Sequence, residues 1–92
     1  MTVVFYGNIQ ERTFGEKSTE INPAKGLGGK ISLRKLIDLL GERYGVDFRT
    51  FLLGDDTCFF LVNGGGVMTT GGLDTPLRKG DTVEVLPFVD AG

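Results

Sequence analysis

The sequence predicts an α+β protein in which a mixed β-sheet packs on one main helix. Residues 32–44 have the apolar spacing of an amphipathic helix, and short β-branched or apolar stretches lie on both sides of this segment. One helix cannot cover both faces of a sheet, which favours an α+β layer over a doubly wound parallel sheet. With 92 residues, the chain is long enough to bury one modest core.

The segment before the helix predicts a β-hairpin. Residues 2–6 are β-branched or aromatic and form the first predicted strand, with alternate side chains on opposite faces. Residues 16–21 are more polar and predict its hairpin partner, which is a candidate edge strand that ends before Pro23. Residues 22–30 hold several glycines and predict a flexible loop.

The predicted main helix shows a capping residue and a termination signal. Ser32 is positioned to accept a hydrogen bond from the free N–H groups of the first turn. Gly41 lies in the helix interior, where glycine costs about 1 kcal/mol relative to alanine. Gly45 fits the positive-φ position that ends many helices. The apolar stripe consists of Leu33, Leu36, Ile37, Leu40 and Tyr44.

Four further elements are predicted after the main helix. Residues 47–53 indicate a short second helical segment, and residues 73–77 a tight turn. Residues 58–62 form a continuous apolar run, which is typical of a central strand covered on both faces. Residues 82–86 alternate and predict a last strand with Val83 and Val85 directed inward.

The composition argues against several functional classes. A net charge of −2 is unusual for a nucleic-acid or anionic-membrane binder. There is no histidine, which excludes His-based triads and His-ligated metals within the chain. Cys58 is the only cysteine, and without a histidine or a metal ligand beside it, we expect it to be a small core residue. Apolar runs are too short to span a bilayer, and no signal-peptide pattern is present. We therefore expect a cytoplasmic domain that is not itself an enzyme and holds no metal or cofactor.

The glycine-rich segments do not form a phosphate-binding loop. Residues 66–71 have the two-glycine spacing of a Walker loop, but Gly72 and Leu73 stand where Lys and Ser or Thr are required. Turn geometry is the simpler interpretation of these glycines, since glycine adopts positive φ without steric cost.

Three motifs together resemble the ubiquitin-like sulfur-carrier family. They are Val-Asn-Gly at residues 62–64, Leu-x-x-Gly-Asp-x-Val at residues 77–83, and Leu-Pro-Phe-Val at residues 86–89 before a tail of small residues. That family includes the small subunit of molybdopterin synthase and the thiamine sulfur carrier. The resemblance extends over nearly the whole chain, since the amino-terminal hairpin and the helix opening also fit.

The resemblance implies a β-grasp fold and a carrier function. Residues 1–87 would form a single domain and residues 88–92 a flexible carboxyl-terminal tail. In the family, an E1-like adenylating enzyme binds ATP and joins the terminal glycine carboxylate to AMP. A sulfur donor then converts that carboxylate to a thiocarboxylate, which a recipient such as the molybdopterin synthase large subunit uses. By resemblance, Gly92 is the activated terminus, and Ala91 and Asp90 belong to the tail.

The sequence departs from the family at two positions. Ala91 stands where the penultimate residue is usually glycine, and Phe88 follows Pro87 where a second proline is common. The chain is also longer than usual thiamine carriers, which favours the molybdopterin or tungstopterin type or a related amino-acid-biosynthesis carrier. A protein modifier conjugated to lysines through Gly92, and a non-catalytic β-grasp interaction domain, remain alternatives.

A partner surface is predicted on the sheet face that points away from the main helix. The strand at residues 58–62 has more apolar side chains than one buried face requires, so one alternating set should be exposed. The predicted partner contacts are Phe59, Leu61 and, at the base of the tail, Phe88.

Overall fold

The computed structural model of the chain describes residues 1–23, 29–54, 57–67 and 71–88. Part of the predicted loop at residues 22–30 lies outside these ranges, as do residues 89–92 of the predicted tail. The described elements are β1 (Thr2–Phe5), β2 (Ser18–Glu20), β3 (Lys30–Ser32), α1 (Leu33–Tyr44), α2 (Val46–Leu53), β4 (Cys58–Val62), β5 (Gly65–Gly66), β6 (Pro76–Arg78) and β7 (Thr82–Pro87), with 3₁₀ helices at Gly7–Arg12 and Gly72–Asp74.

The main sheet is mixed, as predicted. Its strand order is β2-β1-β7-β4-β5; β1 and β7 pair in parallel, and the other neighbours are antiparallel. The register sets Val3 opposite Val83 and Phe5 opposite Val85, and all four side chains are buried. The alternation predicted for the first strand and the inward direction predicted for Val83 and Val85 are therefore confirmed, as is the edge position of β2.

Helix α1 covers one face of this sheet through the predicted stripe. The side chains of Leu36, Ile37 and Leu40 are fully buried, and each such burial contributes about 1.5 to 3 kcal/mol. The Ser32 Oγ accepts a hydrogen bond from the Lys35 backbone N–H at 3.1 Å, which confirms the predicted cap. Gly45 follows the last helical residue with a φ of 115°, a conformation that disfavours other residues.

The two helices pack closely because of Gly41. A Cβ built on Gly41 would lie 2.7 Å from the Cβ of Arg49 on α2. The sequence indicated only the propensity cost of this glycine within α1, whereas the structure shows that α2 occupies the space a side chain would need. Helix α2 begins directly after Gly45 and is anchored by the buried side chains of Phe48 and Leu52.

A second, two-stranded sheet was not predicted. Strands β3 and β6 pair antiparallel, with Ile31 opposite Leu77 and both side chains buried. Lys30, predicted as the end of a loop, belongs to β3. The tight turn predicted at residues 73–77 is wrong, since a 3₁₀ helix ends at Asp74 and β6 begins at Pro76. Strands this short carry little periodic signal, and their pairing depends on contacts distant in sequence.

Candidate functional site

The base of the predicted tail is held in the middle of the main sheet. Strand β7 ends at Pro87, and the backbone N–H of Phe88 donates a hydrogen bond to the carbonyl oxygen of Thr57 at 3.2 Å. The main-chain contacts therefore continue one residue beyond the last strand. We call Pro87 and Phe88 the tail root. Asp90, Ala91 and Gly92, the predicted tail and activated terminus, lie outside the described residues.

The end of β1 packs beside the tail root. The Tyr6 N–H donates to the Val85 carbonyl oxygen at 3.1 Å, which continues the parallel pairing of β1 with β7. Gly7 follows with a φ of 59°, and a Cβ at this residue would lie 2.9 Å from Cγ of Pro87. Gly7 thus allows both the positive φ and the close approach of the backbone to the tail root.

The sheet face opposite α1 presents apolar side chains next to the tail root. Phe59 lies opposite Leu86, and Leu61 lies opposite Glu84, which in turn lies opposite Val4 on β1. Phe59 is 42% exposed, whereas its neighbour Phe60 points into the core and is 7% exposed. We call this surface the outer face; it comprises Val4, Tyr6, Phe59, Leu61, Glu84 and Leu86.

The predicted exposure of one side-chain set on β4 is confirmed at Phe59, and Leu61 is half-buried. The interpretation of β4 as a strand covered on both faces is wrong, because the side of β4 that carries Phe59 remains open. Phe88 is 53% exposed and continues the outward alternation from Leu86. The structure therefore brings the three predicted contact residues to one face of the sheet, and their role in partner binding stays a prediction.

A hydrogen bond fixes polar groups in the middle of the outer face. The Tyr6 hydroxyl donates to Oε2 of Glu84 at 2.8 Å. This hydrogen bond to the carboxylate raises the pKa of Tyr6, because ionisation of the phenol would remove the donor. The alternation of β1 had indicated that Val4 and Tyr6 point away from Val3 and Phe5. Their place beside Glu84 and Leu86 follows from the β1–β7 pairing, which the sequence did not reveal.

Two of the motifs that carry the family resemblance contact each other at the start of β7. Asn63 Nδ2 donates to Oδ1 of Asp81 at 3.0 Å, and the Thr82 N–H donates to Oδ1 of Asn63 at 2.9 Å. The Arg78 backbone N–H donates to Oδ2 of Asp81 at 2.8 Å. The hydrogen bond from Asn63, followed by that from Arg78, lowers the pKa of Asp81. These hydrogen bonds position the start of the last strand.

Cys58 has the surroundings of a structural residue. Its side chain packs against the core from the inner side of β4, and its Sγ lies 3.9 Å from the Leu52 carbonyl oxygen. Burial raises the pKa of the Cys58 thiol, so that the neutral form predominates at neutral pH. This agrees with the prediction of a small core residue.

The described part of the chain contains no group of three or more His, Cys, Asp or Glu side chains arranged to hold a metal ion. Neither α1, with 12 residues, nor α2, with 8, is long and apolar enough to cross a bilayer, and no other α-helix occurs among the described residues.

Comparison with known proteins supports the family resemblance. The model of the ThiS family matches residues 3–92. In the crystal structure of the Amycolatopsis orientalis BexX/CysO complex, a chain is 28% identical, with 99% of this chain and 98% of that chain covered and a TM-score of 0.76. Mycobacterium tuberculosis CysO is 26% identical, with coverages of 96% and 98% and a TM-score of 0.77. Urm1 from Trypanosoma brucei is 25% identical, with coverages of 99% and 93% and a TM-score of 0.72. No curated protein matches the sequence.

The structural matches confirm the β-grasp fold implied by the resemblance. The mixed sheet and its single long helix correspond over almost the full length of both chains.

Proposed function

The chain belongs to the ThiS family of ubiquitin-like sulfur carriers, and we propose that it carries sulfur as a thiocarboxylate on the carboxyl group of Gly92. In this proposal residues 1–87 form the domain and residues 88–92 the tail. The observation that supports it most directly is the tail root. There the central strand β7 ends, a main-chain hydrogen bond holds Phe88, and the four residues that follow are small or medium-sized.

The proposed chemistry requires two reactions, both in partner proteins. An adenylating enzyme joins the Gly92 carboxylate to the α-phosphate of ATP, and pyrophosphate leaves. Sulfur, formally as hydrosulfide, then attacks the acyl carbon; a C–S bond forms, the C–O bond to AMP breaks, and AMP leaves with the bonding electrons. The carrier supplies only the carboxylate, so it is not the catalyst of either reaction and needs no cofactor of its own.

The recipient in this proposal is an enzyme of pterin dithiolene synthesis, such as a molybdopterin synthase large subunit, in the cytoplasm. A tail of narrow residues passes through a channel too small for bulky side chains, while the outer face provides apolar area for the partner. The crystal structure of the Amycolatopsis orientalis BexX/CysO complex shows that CysO assembles with BexX, which supports a protein partner in this proposal.

The decisive experiment is incubation of the chain with its adenylating enzyme, ATP and a sulfide source. Release of pyrophosphate and an intact mass increased by the exchange of one oxygen for one sulfur would support the carrier function. A covalent bond between Gly92 and lysines of other proteins, without that mass change, would favour the protein-modifier alternative. Absence of both would leave a β-grasp interaction domain.

The outer face gives a prediction for partner binding. Substitution of Phe59→Ala should weaken the complex with the adenylating enzyme about fivefold to tenfold, because an exposed aromatic at the centre of an interface contributes strongly to affinity. Titration calorimetry measures this effect. Phe14→Ala is the matched control, since Phe14 is 77% exposed but lies outside the outer face. Equal losses for the two variants would contradict the assignment.

The unusual penultimate residue gives a second prediction. Substitution of Ala91→Gly should leave the rate of adenylation within about threefold of the wild type, since the partner channel need only accept one methyl group. Pyrophosphate release measures the rate. A loss of tenfold or more would mean that the partner recognises the methyl group, and an equally large gain would argue against Gly92 as the activated terminus.

A further inference from the structure

The end of the molecule opposite the tail root carries several exposed basic side chains. We call this surface the basic end; it comprises the exposed side chains of Lys30, Arg34, Lys35, Arg78 and Lys79. They lie on β3, at the start of α1, on β6 and in the turn before β7. Because β7 runs from that turn to Pro87, the basic end and the tail root are separated by roughly 17 Å of strand. The concentration of positive charge is unexpected in a chain with a net charge of −2.

The first unfavourable charge arrangement is in the small sheet. Lys30 on β3 lies directly opposite Arg78 on β6, and both side chains are exposed. Like charges at directly opposed positions of an antiparallel pair destabilise the pairing. An acidic residue at either position would instead add a favourable cross-strand pair.

The second unfavourable arrangement is at the start of α1. Its first turn contains no acidic residue but includes Arg34 and Lys35. The amino-terminal end of a helix carries a partial positive charge, which favours acidic side chains there and disfavours basic ones. Two independent elements thus contribute positive charge to one surface at the expense of local stability.

The neighbouring carboxylates offset this surface only in part, because they are fewer than its five basic side chains. Asp38 pairs with Arg49 at 2.8 Å, which is the one ion pair found within the described ranges. Asp81 lies in the turn after Lys79 and accepts hydrogen bonds from Asn63 and from the Arg78 backbone; these leave its negative charge in place, so it offsets one of the five positive charges. Asp74, on the 3₁₀ helix before β6, is exposed and forms no ion pair with a described residue.

We propose that the basic end is a second docking surface, which binds an acidic segment of a partner protein. The exposed aromatic side chains of the outer face and tail root, Tyr6, Phe59 and Phe88, lie at the other end of β1, β4 and β7. The basic end therefore lacks the stacking platform typical of single-stranded nucleic-acid sites. A partner bound there leaves the outer face and the tail unobstructed, so that the domain stays tethered while its terminus enters an active site.

The test uses the full chain and a fluorescein-labelled deca-glutamate peptide, with fluorescence anisotropy as the readout. We expect binding that weakens as salt is raised, because exposed charges are screened. Lys30→Glu should weaken binding about fivefold. The same variant should raise the melting temperature, since it replaces the Lys30–Arg78 repulsion by an opposite-charge pair. A loss of binding with a gain in stability cannot result from unfolding.

Lys17→Glu is the matched control, because it makes the same charge change on an exposed lysine near the other end of the sheet. The control should alter binding less than about twofold. Equal losses for the two variants, absence of deca-glutamate binding, or tighter binding of a labelled ten-nucleotide DNA strand would each overturn the proposal. Deletion of Gly92 should leave peptide binding unchanged, which separates this inference from the sulfur-carrier proposal.

Discussion

Deletion of Gly92 is expected to abolish adenylation and thiocarboxylate formation while leaving the melting temperature unchanged. The deletion moves the terminal carboxylate back by one residue, about 3.5 Å along an extended tail. A displacement of only 1 Å costs an enzyme about a hundredfold in rate, so we expect a loss of at least about a thousandfold. Pyrophosphate release and intact mass measure the reaction, and thermal unfolding measures stability.

The stability expectation follows from where the folded contacts end. The last main-chain hydrogen bond described in the structure is that of Phe88 to Thr57, four residues before Gly92. Ala91→Gly serves as the control, since it keeps the length of the tail. A truncated chain that is thiocarboxylated at the wild-type rate would refute the carrier function.

Substitution of Gly41→Ala is expected to destabilise the fold by about 2 kcal/mol, because the added methyl group overpacks the contact between α1 and α2. Helix propensity alone gives the opposite sign, a gain of about 1 kcal/mol from glycine to alanine. The difference arises from the 2.7 Å separation between a Cβ at Gly41 and the Cβ of Arg49, an atom next to the backbone that cannot rotate away. Urea denaturation measures the free energy of unfolding.

A double-mutant cycle with Arg49→Gly isolates this contact. Removal of the Arg49 side chain also removes its ion pair with Asp38, but that loss occurs in both arms of the cycle and cancels. The Gly41→Ala substitution should be less damaging, or stabilising, when residue 49 is glycine. If Gly41→Ala in the otherwise unchanged chain instead raised the free energy of unfolding by about 1 kcal/mol, α2 would be able to shift and accommodate the methyl group without loss of stability.

Local patterns in the sequence were sufficient to predict the helices and strands that have strong apolar periodicity. The stripe from Leu33 to Tyr44 predicted α1, and Ser32 and Gly45 marked its two ends, because capping and termination depend on single residues. The apolar run at residues 58–62 corresponds to β4 residue for residue. Alternation placed Val83 and Val85 in the core and indicated that β4 would leave an apolar side chain exposed, as Phe59 does.

Only part of the candidate site could be predicted from such patterns. Phe59, Leu61 and Phe88 follow from alternation and from their place before the tail, whereas Tyr6, Glu84 and Leu86 join them through strand pairing. The parallel pairing of β1 with β7 links residues about 80 positions apart and has no local signature. The proposed role of Gly92 rests mainly on the resemblance to a family, since a terminal glycine after small residues is by itself a weak signal.

The sequence by itself determined that this chain forms a mixed sheet on one amphipathic helix and that, without a histidine, it has no His-based triad and no His-ligated metal. Only the tertiary structure decided which residues share a surface. It pairs β3 with β6, which sets Lys30 opposite Arg78, and it brings α2 against Gly41. Periodicity depends on residues that are close together in the chain, so a single segment is enough to show it. Juxtaposition depends on loop closure and on the shape of the whole core, so it exists only once the chain has folded.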